Sequence, residues 1–351
     1  MKIVFLINRN DRSGGKRVIN ALSEQMQKSG HNVLLIIRPG EPQTPQFSQS
    51  YLCKHIELPA PLKFISKTPL AYLAFLLAIP KCDVIIATYY PTALIATFYR
   101  ILNQKVRSYY FVQGLEGEFS GGIKKLFAWL TYQLPIRIIV NSSWMETQVK
   151  ARRRGGRIHG RILLGLDNKT FKPKGVGHHQ YGKPVIIGTV GRTLPIKGLP
   201  IFWELVQILQ NQVPIKALVV SPEIIEVPHR LSMAVQVTSA TNDLEMVKFY
   251  QALDVFVSTS FRESFSYPPL EAMACGIPTV ITDSGGCGEY ARNNFNTCIA
   301  PPGDVSKLNE YVLRILNSSS FAEEIIRNGI ETAKRFSWKT SVEQMITLLQ
   351  K

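Results

Sequence analysis

Two carboxylates and two cations hold the positions best suited to chemistry in this 351-residue chain: Glu263 and Glu271, with seven residues between them, and Arg192 and Lys197. An ionised carboxylate accepts hydrogen bonds through both oxygens, so a pair of them suits neutral hydroxyls such as those of a sugar. Arg192 offers a planar fork and Lys197 a point charge, and two such cations in one loop match a diphosphate met from its solvent side. Spacing alone leaves plainer roles open. Glu271 would then complement a helix dipole, and Glu263 would be a solvated loop acid.

These groups need elements to aim them. Residues 254–258 form a short β-branched run of the buried-strand kind, and 261–267 are too polar to continue it. Pro268 and Pro269 suit the first turn of a helix, and Gly276 and Pro278 mark its end, which puts Glu271 in the first helical turn. Were the whole segment helical, a rise of ~1.5 Å per residue would hold the two acids ~12 Å apart along the axis. With a loop between them, both can face one crevice above the sheet, where a helix N-terminus favours anions. Arg192 and Lys197 follow another expected strand, 185–190, directly.

The rest of the chain alternates in the same way. Strands are expected at 2–7, 33–37, 83–87, 107–112 and 136–140, then at 185–190, 217–220, 235–237, 254–258 and 279–282. Helices are expected at 16–27, 69–79, 92–99, 123–134, 143–150, 201–210 and 244–252. One more starts at Glu289, one runs up to Arg335, and a last covers 338–349. Gly14 and Gly15 follow the first strand and permit close backbone approach to a ligand, but they do not form G-x-G-x-x-G, which excludes a nicotinamide-dependent oxidoreductase on its fingerprint. Residues 39–49 read as a mobile loop and 172–183 as a linker. After strand 107–112 come Gln113 and Glu116. Gln113 can donate a hydrogen bond to a transferring sugar but cannot act as a base at neutral pH. Glu116 is a base, an acceptor-positioning group or a surface acid.

Composition sets further bounds. The length suits two domains, and no uninterrupted apolar run reaches the eighteen or so residues that a membrane span needs. The first residues, MKIVFLIN, read as a strand rather than a signal peptide, so a cytoplasmic protein is expected. Five cysteines without C-x-x-C spacing and six scattered histidines argue against a disulfide framework and a metal site. Residues 1–174 hold 26 Lys and Arg against 9 Asp and Glu, whereas 175–351 hold 15 against 16. A one-sided basic excess points to acidic membrane lipid, a phosphorylated lipid acceptor or nucleic acid, with ordinary solubilising charge as the bland alternative. Lys124, Lys125 and the run Arg152-Arg153-Arg154 are the densest candidates for contact with an acceptor's phosphates or a membrane.

E-x7-E followed by Ala272-Met273-Ala274-Cys275-Gly276 and Pro278, then Ser284-Gly285-Gly286 with Glu289, resembles the donor site of retaining glycosyltransferase family 4, of GT-B fold. Further matches stand in the same order: the glycine pair after the first strand, Gly165-Leu166-Asp167 with Phe171 and Pro173, and Gly191-Arg192 with Lys197-Gly198. The resemblance implies two Rossmann-like doubly wound α/β domains facing across a cleft. The first would be an acceptor domain, 1–174 plus the returning helix 338–351, and the second a nucleotide-sugar domain, 175–337. It also implies transfer of a sugar with retention, in cell-surface polysaccharide or glycolipid synthesis, without a metal or other cofactor. Arg192 and Lys197 are then assigned to the leaving diphosphate and Glu263 to sugar hydroxyls, with Glu271 on the ribose. Gly14, Gly15, Gly191, Ser264, Phe265, Ser266 and Tyr267 complete donor binding.

This chain departs from the family at Gln113, where many members place a histidine nearby, and at Ser264 and Ser266, where many have glycine. Phe111-Val112-Gln113 is similar to a segment of some rhamnosyltransferase-like members. The departures keep a catalytically silent sugar-nucleotide binder open. A basic nucleic-acid-binding protein would use the arginines but leaves the carboxylate pair unexplained, so no nucleic acid is expected as a partner.

Overall fold

Short runs of aliphatic residues followed by helices pair as parallel strands throughout the computed structural model, which describes residues 1–8, 14–38, 52–55, 71–119, 122–173 and 184–351. The chain divides into two units, Met1–Gly165 with Trp338–Lys351, and Leu166–Ser337.

The first unit contains β1 (Lys2–Ile7), α1 (Gly14–Lys28), β2 (Asn32–Ile37), β3 (Leu52–His55), α2 (Ala71–Leu77), β4 (Val84–Ala87) and α3 (Tyr90–Leu102). It continues through β5 (Arg107–Val112), α4 (Ile123–Thr131), β6 (Arg137–Val140), α5 (Ser143–Arg152) and β7 (Gly160–Arg161). The sheet order is β3-β2-β1-β4-β5-β6-β7. Strands covered on both faces need continuous apolar sequence, and Ile3 to Ile7 are all buried. Because β1 lies between β2 and β4, the connections leave it in opposite directions, which makes a topological switch point at its carboxyl end.

The second unit contains β8 (Val185–Val190), α6 (Leu199–Gln210), β9 (Ile215–Val220), β10 (Val235–Thr238), α7 (Asp243–Tyr250), β11 (Val255–Ser258) and α8 (Tyr267–Ala274). After it come β12 (Thr279–Thr282), β13 (Cys298–Ala300), α9 (Val305–Asn317) and α10 (Ser319–Lys334). Its sheet runs β10-β9-β8-β11-β12-β13, so β8 repeats the place of β1, between strands whose connections diverge. Phe202, Leu205 and Leu209 of α6 and Leu308 and Val312 of α9 close a core with Ile187, Val219 and Val257 of the sheet.

The last helix, α11 (Trp338–Gln350), packs on α1 of the first unit. His159 Nε2 meets the Leu348 carbonyl at 2.7 Å, and the Arg107 guanidinium donates to the Leu349 carbonyl. The unit boundary falls ahead of the expected one at 174/175. Residues 166–173 are tied to the second unit, since Leu166 pairs with Ser337, Asn168 donates to the Phe336 carbonyl and the Phe171 ring lies tilted against Tyr250.

Three strands were not expected. The β3 sequence Leu-Cys-Lys-His is too polar to signal a strand, and β7 and β13 are too short. No helix starts at Glu289, because a 3₁₀ turn spans Gly286–Glu289 and the chain then turns toward β13. The expected loop 39–49 lies outside the described residues, as does nearly all of the linker 172–183.

Candidate active site

The carboxyl ends of three adjacent strands of the second unit, β8, β11 and β12, carry loops laced together by main-chain bonds. Phe261 N donates to the Ile196 carbonyl at 2.8 Å, and Thr259 Oγ1 donates to the Gly198 carbonyl at 2.8 Å. On the other side Glu263 N donates to the Ser284 carbonyl at 2.8 Å, and Gly286 N donates back to Glu263 at 2.9 Å. Two glycines make this lacing possible. Gly198 has φ +64°, and a Cβ there would stand 2.0 Å from the Thr259 carbonyl oxygen; at Gly286 a Cβ would stand 2.2 Å from Ser264 backbone atoms.

The lacing brings Lys197 and Glu263 together, with Nζ 2.7 Å from Oε1 and both side chains largely shielded. Ser260 Oγ donates to the same oxygen at 2.9 Å. Sequence reading had paired these two residues by function, but not with each other as an ion pair, and had missed Ser260.

Arg192, in the same loop after β8, is held by Glu223 at 3.1 Å. Glu223 follows β9 and also accepts from the Thr193 N–H at 2.9 Å and its hydroxyl at 2.7 Å. These Thr193 bonds, with Arg192 adding to them, lower the Glu223 pKa, so the acid stays ionised. Glu223 was missed by sequence reading, although its place just beyond a strand flanking β8 was a usable signal. Gly191 has a packing reason to be glycine, since a Cβ would stand 2.6 Å from Val219 and 2.9 Å from Ile225.

Glu271 lies one turn into α8, which starts at Tyr267, and not in the first turn as expected. Its carboxylate is buried and accepts from the Tyr250 hydroxyl at 2.8 Å. No sequence signal joins residues 250 and 271. Pro268 and Pro269 are the second and third residues of α8 and carry no N–H, so of the first three positions Tyr267 alone offers an amide toward an anion.

The loop ahead of α8 is pinned by aromatic packing. Phe265 is buried, with its ring 5.1 Å from Tyr267, 5.7 Å from Tyr290 and 6.0 Å from Phe336. Its assignment as a donor-contacting side chain is therefore corrected: the ring faces the core because a large apolar side chain gains most there. Tyr290 donates its hydroxyl to the Ser266 carbonyl at 2.6 Å, and burial pushes the Tyr290 pKa well up. Ser266 has φ +68°, the left-handed region that a glycine enters without strain. Ser264 is half-buried and not in that region.

In the first unit, Gly15 and Gln113 meet beside the carboxyl ends of β1 and β5. A Cβ on Gly15 would lie 3.6 Å from the Gln113 amide nitrogen and oxygen, an ordinary contact, and one on Gly14 would meet nothing within 4 Å among the described residues. Packing does not require either glycine, so the space they leave is available to a ligand. Gln113 Oε1 is buried without a hydrogen-bond partner among the described residues.

Glu116 is placed differently from expectation. It is buried, and its Oε2 accepts from the Tyr90 N–H at 2.6 Å and the Tyr110 hydroxyl at 2.8 Å. Burial raises its pKa to about 8. It anchors the amino end of α3 from inside the unit and is not a surface acid.

The arginine run divides. Arg153 donates to the carbonyls of Tyr132, Leu134 and Ile136, which corrects its assignment to acceptor phosphates: it staples the exit of α4 to the end of α5. Burial lowers its pKa. Arg152 reaches back to Gln148 at 2.7 Å, whereas Arg154, Lys124 and Lys125 are exposed. Among the described residues no group of three His, Cys, Asp or Glu is arranged to hold a metal ion, and no helix is long and apolar enough to cross a membrane.

Residues 176–332 match the family model of glycosyl transferases group 1. O-antigen chain mannosyltransferase B of Escherichia coli is 34% identical over 104 residues, which is 30% of this chain and 27% of that one. A Campylobacter jejuni enzyme, N,N'-diacetylbacillosaminyl-diphospho-undecaprenol alpha-1,3-N-acetylgalactosaminyltransferase, is 26% identical over 169 residues, 47% of this chain and 44% of that one. The chain thus spans less than half the length of these two relatives.

Solved structures match along the whole chain. Sucrose-phosphate synthase from Thermosynechococcus elongatus has a TM-score of 0.79 at 19% identity, covering 100% of this chain and 98% of that one. Anabaena HepE in complex with UDP and glucose has 0.80 at 16% identity, covering 100% and 99%. The fold is the two-domain α/β GT-B fold that these solved structures share.

Proposed function

We propose that this chain transfers a sugar from a nucleoside diphosphate donor to an acceptor hydroxyl, with retention of anomeric configuration and without a metal ion. The observation that carries the reading is the Lys197–Glu263 pair, set at the switch point of the second sheet with Arg192 in the same loop. Breaking the bond between the anomeric carbon and the β-phosphate oxygen leaves its electron pair on that oxygen. Lys197 and Arg192 offset that charge, helped by the dipole of α8.

Glu263 then exchanges part of its present bonding for sugar hydroxyls, and Glu271, steadied by Tyr250, takes the ribose. The acceptor proton passes to the departing phosphate oxygen as the new bond forms on the face that the leaving group vacates. Gln113, whose side-chain oxygen is buried without a hydrogen-bond partner among the described residues, is the first unit's candidate for contact with a bound sugar. The named activities of the E. coli and C. jejuni relatives support a glycan or glycolipid acceptor in cell-surface polysaccharide synthesis. Exposed Arg154 is the best-placed member of the arginine run for an acceptor phosphate.

A panel of nucleotide sugars, incubated in excess chelator and followed by NMR of the anomeric proton, tests this reading. One donor class is expected to turn over and to keep its configuration. Loss of turnover in EDTA that magnesium restores would overturn metal independence. An inverted product would overturn retention, and nucleotide binding without turnover of any donor would leave a silent binder.

A further inference from the structure

Two helices of the first unit expose runs of apolar residues. On α4 the exposed residues Ile123, Leu126, Phe127 and Leu130 recur at helical spacing, with Trp129 beside them, while Ala128 and Thr131 alone are buried. On α3, Leu94, Phe98, Ile101 and Leu102 form a second exposed stripe, and α3 packs against α4. Each of these nine side chains is between 37% and 69% exposed. A helix on the surface of a soluble protein ordinarily presents polar residues on that arc; α4 is inverted, and α3, which also buries Ala93, Ile95, Ala96 and Tyr99 in the core, is apolar on both sides. Scattered exposed leucines need no explanation, but a run of this length on two touching helices does.

The charge around the stripes says what covers them. Residues 84–115 and 119–145 contain no Asp or Glu, and Arg100, Lys105, Lys124 and Lys125 are exposed there. A second copy of the chain meeting this face across a two-fold axis would set cations against cations. A bilayer with anionic headgroups meets both features, taking the apolar stripes at the acyl boundary and the lysines at the phosphates. Tryptophan beside such a stripe belongs at headgroup depth.

We propose that the outer faces of α3 and α4 dock on an anionic lipid bilayer, with both helices lying on the surface and neither spanning it. The arginine run plays a smaller part than its density suggests, because Arg153 is committed inside the unit. This surface does not depend on the transfer chemistry, and its test needs no donor.

The test is co-sedimentation of the full chain with phosphatidylcholine vesicles, with and without phosphatidylglycerol, at low and near-physiological salt. Binding is expected to the anionic vesicles and to weaken with salt. The double variant Leu126→Gln/Phe127→Gln is expected to lose roughly tenfold in partitioning. The variant Lys124→Gln/Lys125→Gln should lose binding together with much of its salt dependence. Ile224→Gln, at an exposed apolar position in the second unit, serves as a folded control that binds like the parent. Failure to bind anionic vesicles at low salt overturns the proposal, as does binding that neither double variant reduces. So does a dimer abolished by Leu126→Gln/Phe127→Gln in a chain that ignores vesicles.

Discussion

At the scale of single residues, Lys197 and Glu263 were legible because charged groups just beyond strand ends fall at one edge of a parallel sheet. What the sequence hid was the pairing itself. The bonds of Ser260, Tyr250 and Glu223 to the expected site join residues 3, 21 and 31 positions apart, and two of these three separations exceed any local period. Phe265 was hard to read for a related reason: a phenylalanine between two candidate acids looks like a donor contact until its ring is seen against Tyr290 and Phe336. Ser266 was noted only as a departure from a glycine pattern, and the structure supplies its cost, a left-handed backbone in a residue with a Cβ. Ser266→Gly should therefore unfold in urea with about 1 kcal/mol more stability than Ser266→Ala, since alanine keeps the strain and glycine removes it. Equal stabilities of the two variants would mean that the Tyr290 bond, and not the Cβ, sets the energy at this position.

At the scale of elements, the long aliphatic strands and most helices could be read from period and punctuation, because burial on both faces of a parallel sheet demands continuous apolar runs. The missed strands were short or polar, and what aligns them is pairing with a neighbour already in place, as β13 pairs with β12. Glu116 shows how an element's end can depend on a distant side chain. Its carboxylate holds the first amide of α3, twenty-six residues away, and burial lifts its pKa from the ordinary 4.5 to about 8. Below the ordinary value the group is protonated in both folded and unfolded chains, and its contribution to stability is complete. As pH rises toward 8 the unfolded chain gives up the proton that the folded chain retains, so that contribution is lost. Thermal melts of the wild type should fall as pH is raised from 5 to about 9. Glu116→Gln, which keeps an acceptor oxygen for Tyr90 and Tyr110, should flatten that slope, and parallel curves for the two proteins would show that the carboxyl does not titrate in this range.

At the scale of the whole molecule, two doubly wound sheets with equivalent switch points and a last helix that joins the first unit were expected from repeated alternation and from the family resemblance together. The boundary was not, because 166–173 were assigned to the end of the first domain by family resemblance, yet Leu166 is bonded to Phe336 of the second unit. The basic excess of the first half was visible as a number; of the residues it was assigned to, Lys124, Lys125 and Arg154 are exposed, whereas Arg153 is committed inside the unit. An exposed apolar face appears only when it is known which sides of α3 and α4 are buried.

The central claim is that Lys197 stabilises charge on a departing diphosphate at the switch point of the second sheet. Its most direct test is the turnover number of Lys197→Ala with saturating donor, using the nucleotide sugar that the wild type turns over. A fall of roughly 100- to 1000-fold in kcat is expected. A kcat equal to that of the wild type, with only KM raised, would show that Lys197 merely binds the donor, and would contradict it.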